Sequence, residues 1–255
     1  MIKNNKNHIV LSIPSKAIVT ANWLEKHGIS SNLASYYTRA KWLERVGEKA
    51  YKRPGDNVEW TGVVNALQEQ LGIAIHVSGK SALSLTGTIH YLQMNDSTNL
   101  YLTLDKNTHL PKWVESKKLS NDNLLIHKRA ILKCDDYKDF LINKDVDGFN
   151  IKFSCNELAI MEVLQQVPIE QDFTEAVQLM ESLPYMRAKK VQLLLEKSTS
   201  IKAKRLYLYL GEKFNHKWVE KIDRSKINLG SGKLMLIKNG TYDTQFKMTI
   251  PDVEE

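Results

Sequence analysis

Asn32, Ser35 and Arg39 fall three and four residues apart, a spacing that on a helix sets an amide, a hydroxyl and a guanidinium on one face. Ser31 and Thr38 flank them. Such a face carries the donors and acceptors that base edges offer in a major groove. Close behind come Lys41, Lys49, Lys52 and Arg53, cations of the kind that rest on phosphates. Residues 1–55 hold ten Lys or Arg against three acids, a surplus of +7 equal to that of the whole chain, so residues 56–255 are neutral. The basicity is local, as a nucleic-acid-binding module would have it.

These side chains need a frame, and the local sequence predicts one. A short first helix over His8–Ile13 is closed by Pro14, which cannot continue the hydrogen-bond ladder. Ala17-Ile18-Val19 reads as a strand. Thr20 is placed to cap a helix over Ala21–His27, and Gly28 supplies the left-handed residue that ends it. The turn Gly28-Ile29-Ser30 leads to a second helix, capped by Ser30 or Ser31 and running to about Lys41, with Leu33, Tyr37 and Ala40 as its buried stripe. Leu43–Val46 and Lys49–Arg53 then read as two strands joined at Gly47-Glu48, glycine suiting the first central position of a type II′ turn. Helix, turn, helix and basic hairpin are the layout of a winged helix, in which the second helix enters the groove and the hairpin contacts phosphates.

Downstream the pattern is mixed. Trp60–Leu71 has helical spacing and Ile75-His76-Val77 that of a strand, followed by a short helix over Lys80–Leu85 and strands over Leu100–Leu104 and Leu124–Leu132. A hairpin fits Phe140–Asn143 and Phe149–Phe153, turning at Asp147-Gly148. Amphipathic helices follow over Asn156–Gln166, Phe173–Leu183 and Ala188–Phe214, the last split near Ser198–Ser200. A closing hairpin pairs Lys233–Lys238 with Gln245–Ile250 through Asn239-Gly240. Strands and helices segregated in this way predict an α+β fold. The expected domains are 1–90, a winged helix-turn-helix with a linker helix, and 91–255, mixed α+β. In the second, Arg187, Lys189, Lys190, Lys197, Lys202, Lys204 and Arg205 cluster with only Glu196 opposing. That cluster is either a surface for an acidic partner or nucleic acid, or a solvated face balanced by neighbouring acids.

Signals for catalysis fail one by one. Gly79-Lys80-Ser81 resembles the end of a phosphate-binding P-loop, but position 74, where that loop needs glycine, is alanine. Gly230-Ser231-Gly232-Lys233 could open a nucleotidyltransferase site, yet only Asp243 follows where two carboxylates would hold magnesium. His76, His90, His109 and His127 are scattered, and Cys134 and Cys155 have neither CxxC spacing nor a histidine pattern. No cofactor or metal is expected. An apolar signal core is missing at the N-terminus and no stretch is long enough to span a bilayer, so a cytoplasmic protein without membrane contact is expected. Two readings from other classes stay open: an enzyme acting on nucleic acid with the winged helix delivering substrate, and a module whose basic N-terminus meets an acidic protein.

The run Val19-Thr20-Ala21-Asn22-Trp23-Leu24-Glu25-Lys26-His27-Gly28-Ile29-Ser30, then Trp42–Arg45 and Ala50–Asp56, resembles the N-terminal domain of AbiEi-type antitoxins. The likeness continues through His76–Leu83, Glu157–Glu162, Lys204–Leu208, Leu229–Lys233 and Gly240–Asp243, nearly the whole chain. The resemblance implies an antitoxin and transcriptional regulator of a bacterial type IV toxin-antitoxin system used in abortive phage infection. It further implies a winged helix that represses its operon at inverted repeats in the promoter, and a C-terminal domain that counters a nucleotidyltransferase toxin without a stable complex. On this reading Ser31, Asn32, Ser35, Thr38, Arg39, Lys41, Lys49, Lys52 and Arg53 contact double-stranded DNA, and the basic cluster from Arg187 to Arg205 is the antitoxin surface. No heptad segment drives dimerisation, so a monomer that pairs on its repeats is expected.

Overall fold

A computed structural model describes residues 10, 12–88, 99–105, 107–115, 123–128 and 131–251. The architecture is α+β, and the chain divides into two compact units, residues 1–76, 95–128 and 143–152 in one and 77–94, 129–142 and 153–255 in the other. Half of the predicted first helix, and His90, lie outside the described residues; Val10 and Ile13 are buried.

In the first unit, β1 (Val19–Thr20) leads straight into α1 (Ala21–Lys26), whose cap is Thr20, its hydroxyl accepting from the Trp23 amide at 3.2 Å. Gly28 takes the left-handed conformation, φ 81°, and Ile29 behind it is fully buried. Ser30 then caps α2 (Ser31–Arg39) by accepting from the Leu33 amide. Strands β2 (Glu44–Gly47) and β3 (Ala50–Lys52) follow, giving an antiparallel sheet in the order β1-β3-β2. Val10, Ile13, Val19, Leu24, Ile29, Ala34, Tyr37, Leu43 and Tyr51 form the common core.

Two details depart from the sequence reading. Ala40 is exposed and Ala34 takes its place in the core, because α2 ends at Arg39 before Ala40 completes the stripe. The wing turns at Glu48-Lys49, one residue later than expected, with Lys49 in the left-handed region at φ 58°. Gly47 serves packing instead: a Cβ there would stand 2.5 Å from the Cβ of Trp113, so the wing lies directly on that indole residue.

The predicted helix over Trp60–Leu71 forms as α3 (Trp60–Asn65) running into a π-turn, Ala66–Gln70. Its glycine is a close-approach site, since a Cβ on Gly62 would fall 2.2 Å from the Lys16 carbonyl oxygen. In the π-turn, Gln70 donates to the Ile18 carbonyl at 2.7 Å and accepts from the Thr20 amide at 2.8 Å. Its amide thereby acts as a neighbouring strand would, satisfying the free edge of β1. Gln68 does the same for Lys152, donating to its carbonyl and accepting from its amide.

A five-stranded sheet holds β4 (Ile75–Val77), β5 (Asn99–Leu104), β6 (Asn123–His127), β7 (Leu141–Val146) and β8 (Phe149–Ser154) in the order β6-β5-β4-β8-β7. Strands β5 and β6 run parallel from Asn99↔Asn123 to Thr103↔His127. Strand β6 stops short of Leu132, the predicted end. The β7–β8 turn is Asp147-Gly148, as predicted, with φ of 53° and 82°. The boundary between the units falls inside β4, β7 and β8.

The second unit is mainly helical: α4 (Gly79–Leu85), α5 (Asn156–Gln166), α6 (Phe173–Glu181), α7 (Ala188–Lys197) and α8 (Ile201–Lys213). Helix α5 is buried on nearly every side, as a central helix must be. The closing hairpin is rebuilt. Strand β9 (Leu234–Met235) runs parallel to β11 (Met248–Ile250), and the antiparallel partner of β11 is β10 (Thr241–Asp243), so no hairpin turns at Asn239-Gly240.

Candidate nucleic-acid interface

The caps at Ser30 and the core residues Ala34 and Tyr37 fix the rotation of α2. At about 100° per residue, Thr38, Ser31, Ser35, Arg39, Asn32 and Tyr36 follow one another in that order around a single face. All of these are exposed except Thr38, which is half-buried. The hydroxyls of Ser35 and Thr38 each donate to a carbonyl one turn back, Ser31 and Ala34, at 2.9 Å. Both keep lone pairs to accept with.

The wing contributes unevenly. Lys41, Arg45 and Lys49 are exposed, and the Arg45 guanidinium leans on the Gly47 carbonyl at 3.1 Å. Arg53 is half-buried. Lys52 is a correction to the sequence reading: its ammonium sits 3.2 Å from Glu44 across the strand pair and donates to the Asp56 carbonyl at 2.8 Å. The register that sets Glu44 opposite Lys52 neutralises that cation internally. Arg45, exposed although the register pairs it with the buried Tyr51, was not singled out in the sequence. Nor were Tyr36, 57% exposed, and Trp42, 43% exposed and stacked on Tyr37 at 5.5 Å. Large aromatic side chains at helical spacing ordinarily mark a core, which hid them.

The basic cluster of the second unit is mostly spent on its own fold. Arg187 grips Glu157 with one edge of its guanidinium, Nε and Nη2 each donating at 2.9 Å, and with its backbone amide at 3.0 Å. Lys197 pairs with Asp136 and Asp139, and Lys202 donates to the carbonyls of Gln165 and Val167. Lys190 lies half-buried over the Phe140 ring. Lys204 and Arg205 are buried, a correction to the expected surface. Arg205 is enclosed by the carbonyls of Leu229, Gly230, Gly232 and Lys247. Those acceptors lie 24 to 42 positions along the chain, beyond the reach of a local charge count. Lys189 is exposed.

The motifs that suggested phosphate chemistry are occupied too. The Gly79 amide donates at 3.0 Å to the buried Glu162 carboxylate, which also accepts from the Ser154 hydroxyl, and Lys80 is bound to Glu175. A carboxylate of the chain itself thus fills the position a phosphate would take. Gly230 and Gly232 are tied down by Arg205. Burial pushes the Cys155 thiol up to about 12, leaving it a structural group, whereas Cys134 is exposed. Among the described residues no cluster of three or more His, Cys, Asp or Glu could hold a metal, and no helix is long and apolar enough to cross a membrane.

No curated protein matches the chain. The structure is similar to the crystal structure of the RV2827C protein from Mycobacterium tuberculosis, with a TM-score of 0.61 at 10% identity, covering 95% of this chain and 88% of that one. At that identity the likeness is one of fold. Residues 3–94 match the family described as the AbiEi antitoxin N-terminal domain of a transcriptional regulator. Residues 97–251 match the transcriptional regulator family of AbiEi antitoxins of type IV toxin-antitoxin systems. With both matches in sequence order along almost its full length, the chain belongs to the AbiEi antitoxin family of transcriptional regulators.

Proposed function

We propose that the chain represses its own operon by binding inverted repeats in the promoter, and that it counters a nucleotidyltransferase toxin without forming a stable complex with it. It acts in the cytoplasm, as a monomer that pairs on the DNA, and catalyses nothing. The observation that carries the DNA half is the outward face of α2, where Asn32, Ser35 and Arg39 stand together, followed in the chain by the exposed hairpin cations Arg45 and Lys49. Asn32, Ser35 and Arg39, with Ser31 and Thr38 at the edge, read bases, while Lys41, Arg45, Lys49 and Arg53 hold phosphates. The toxin half rests on family membership over residues 97–251. There Lys189 is exposed, as is Arg187, whose guanidinium is already held by Glu157, and the remainder of that cluster serves chiefly to fix the helices.

A gel shift on DNA from immediately upstream of the gene, against scrambled DNA, tests the repressor reading. Selective binding whose affinity falls steeply with salt is expected, because each phosphate contact releases a counterion. Equal binding to both DNAs would refute it. Arg39→Ala should lose about 1 to 3 kcal/mol on the operator and relax its specificity. For the toxin, rescue of cells by the intact chain and by its Lys189→Glu variant is the assay. A shorter chain starting near residue 90 would answer less, since it lacks β4, an interior strand of the five-stranded sheet.

A further inference from the structure

On the polar face of α2, Tyr36 is out of character. Its ring is 57% exposed, although tyrosine is a residue whose apolar body ordinarily goes inward. Nothing in the core requires it: Ala34 and Tyr37 supply the buried contacts of this helix. Yet the ring is not adrift, for it leans against Tyr37 with centroids 5.9 Å apart, and Tyr37 is in turn stacked on Trp42. Tyr36 also lies one helical turn beyond Asn32, on the same side of the face. An amide such as that of Asn32 pairs with the major-groove edge of adenine, and the one apolar group a base edge offers in that groove is the 5-methyl of thymine.

Resting on the repressor reading above, we infer that Tyr36 is a specificity-determining residue that packs its ring on a thymine 5-methyl in the operator, next to the base read by Asn32. The polar residues of the face match hydrogen-bond patterns; Tyr36 adds recognition by shape to a group that uracil lacks. The phenolic hydroxyl is not needed for it.

The test removes the methyl and nothing else. Upstream DNA is made with either thymine or uracil, and the affinities of the wild-type chain, Tyr36→Ala and Tyr36→Phe are measured on both. Wild type and Tyr36→Phe should bind the uracil duplex about four-fold more weakly for each methyl contacted, the amount expected for one buried carbon. Tyr36→Ala should start weaker on thymine DNA and show no thymine-over-uracil preference. Because Tyr36 is exposed, all three chains should give the same circular dichroism spectrum and melting temperature. Wild type binding the two duplexes equally, or Tyr36→Ala keeping the preference, would overturn the assignment. Wild type failing to prefer upstream over scrambled thymine DNA would instead overturn the repressor reading on which it rests.

Discussion

Replacing Glu157 by glutamine should cost about as much stability as any single polar change in the second unit. The carboxylate is 2% exposed, at the first turn of the buried helix α5. Burial alone would raise its pKa, but the Arg187 guanidinium and amide overcome that cost and hold it at about 2, against an ordinary 4.5. At about 1.36 kcal/mol for each tenfold change in proton affinity, the ionised form contributes about 3 kcal/mol to the fold. A depressed carboxyl pKa gives stability that is complete above the unfolded value and drains away as pH falls toward the folded one, here between 4.5 and about 2. Glutamine keeps the shape without the charge. Urea unfolding followed by circular dichroism should therefore show Glu157→Gln about 3 kcal/mol less stable than wild type at neutral pH, and only about 1 kcal/mol less stable at about pH 3. Equal stability at neutral pH would refute the pairing. A gap that stays the same in acid would show that Glu157 contributes through packing and that its charge is immaterial.

Three further outcomes are expected. Lys49→Ala should flatten the plot of log affinity against log salt by about 0.9 per bound protomer, while Lys52→Ala leaves the slope unchanged because Glu44 and Asp56 already hold its ammonium. Gln70→Ala should cost about 2 to 4 kcal/mol, read as a lowered melting temperature, since it strips partners from both the Ile18 carbonyl and the Thr20 amide. A thiol reagent at mildly alkaline pH should modify Cys134 quickly in the native protein and reach Cys155 only after denaturation, as the latter's buried thiol stays protonated.

What could be read from the sequence was whatever short-range chemistry dictates. Thr20 and Ser30 cap their helices because a hydroxyl before a helical run has amides to accept from. The split between α7 and α8 was visible at Ser198–Ser200, and the β7–β8 turn at Asp147-Gly148, whose residues tolerate positive φ. What escaped depended on partners distant in the chain. The wing turn moved by one residue because Gly47 had to lie flat on Trp113, 66 positions away. Lys52 and Arg205 read as surface cations in the sequence, yet Glu44 holds the one and a ring of carbonyls the other, while Lys204 is simply buried. Tyr36 was passed over for the opposite reason, an aromatic residue that the core does not use.

The seat of the wing on Trp113 bears on how the protein can be taken apart. The N-terminal family match ends at residue 94, so the residue against which the wing rests lies in the territory of the second match. An N-terminal module excised at that seam would carry α2 intact and its hairpin without a backstop. Anyone grafting this module onto another protein, or evolution shuffling it onto a new partner, has to bring the segment around Trp113 along or supply another bulky residue for Gly47 to lean on. The wing is therefore common property of the two stretches of sequence, and substitutions at residue 113 act on it from outside the stretch that contains it.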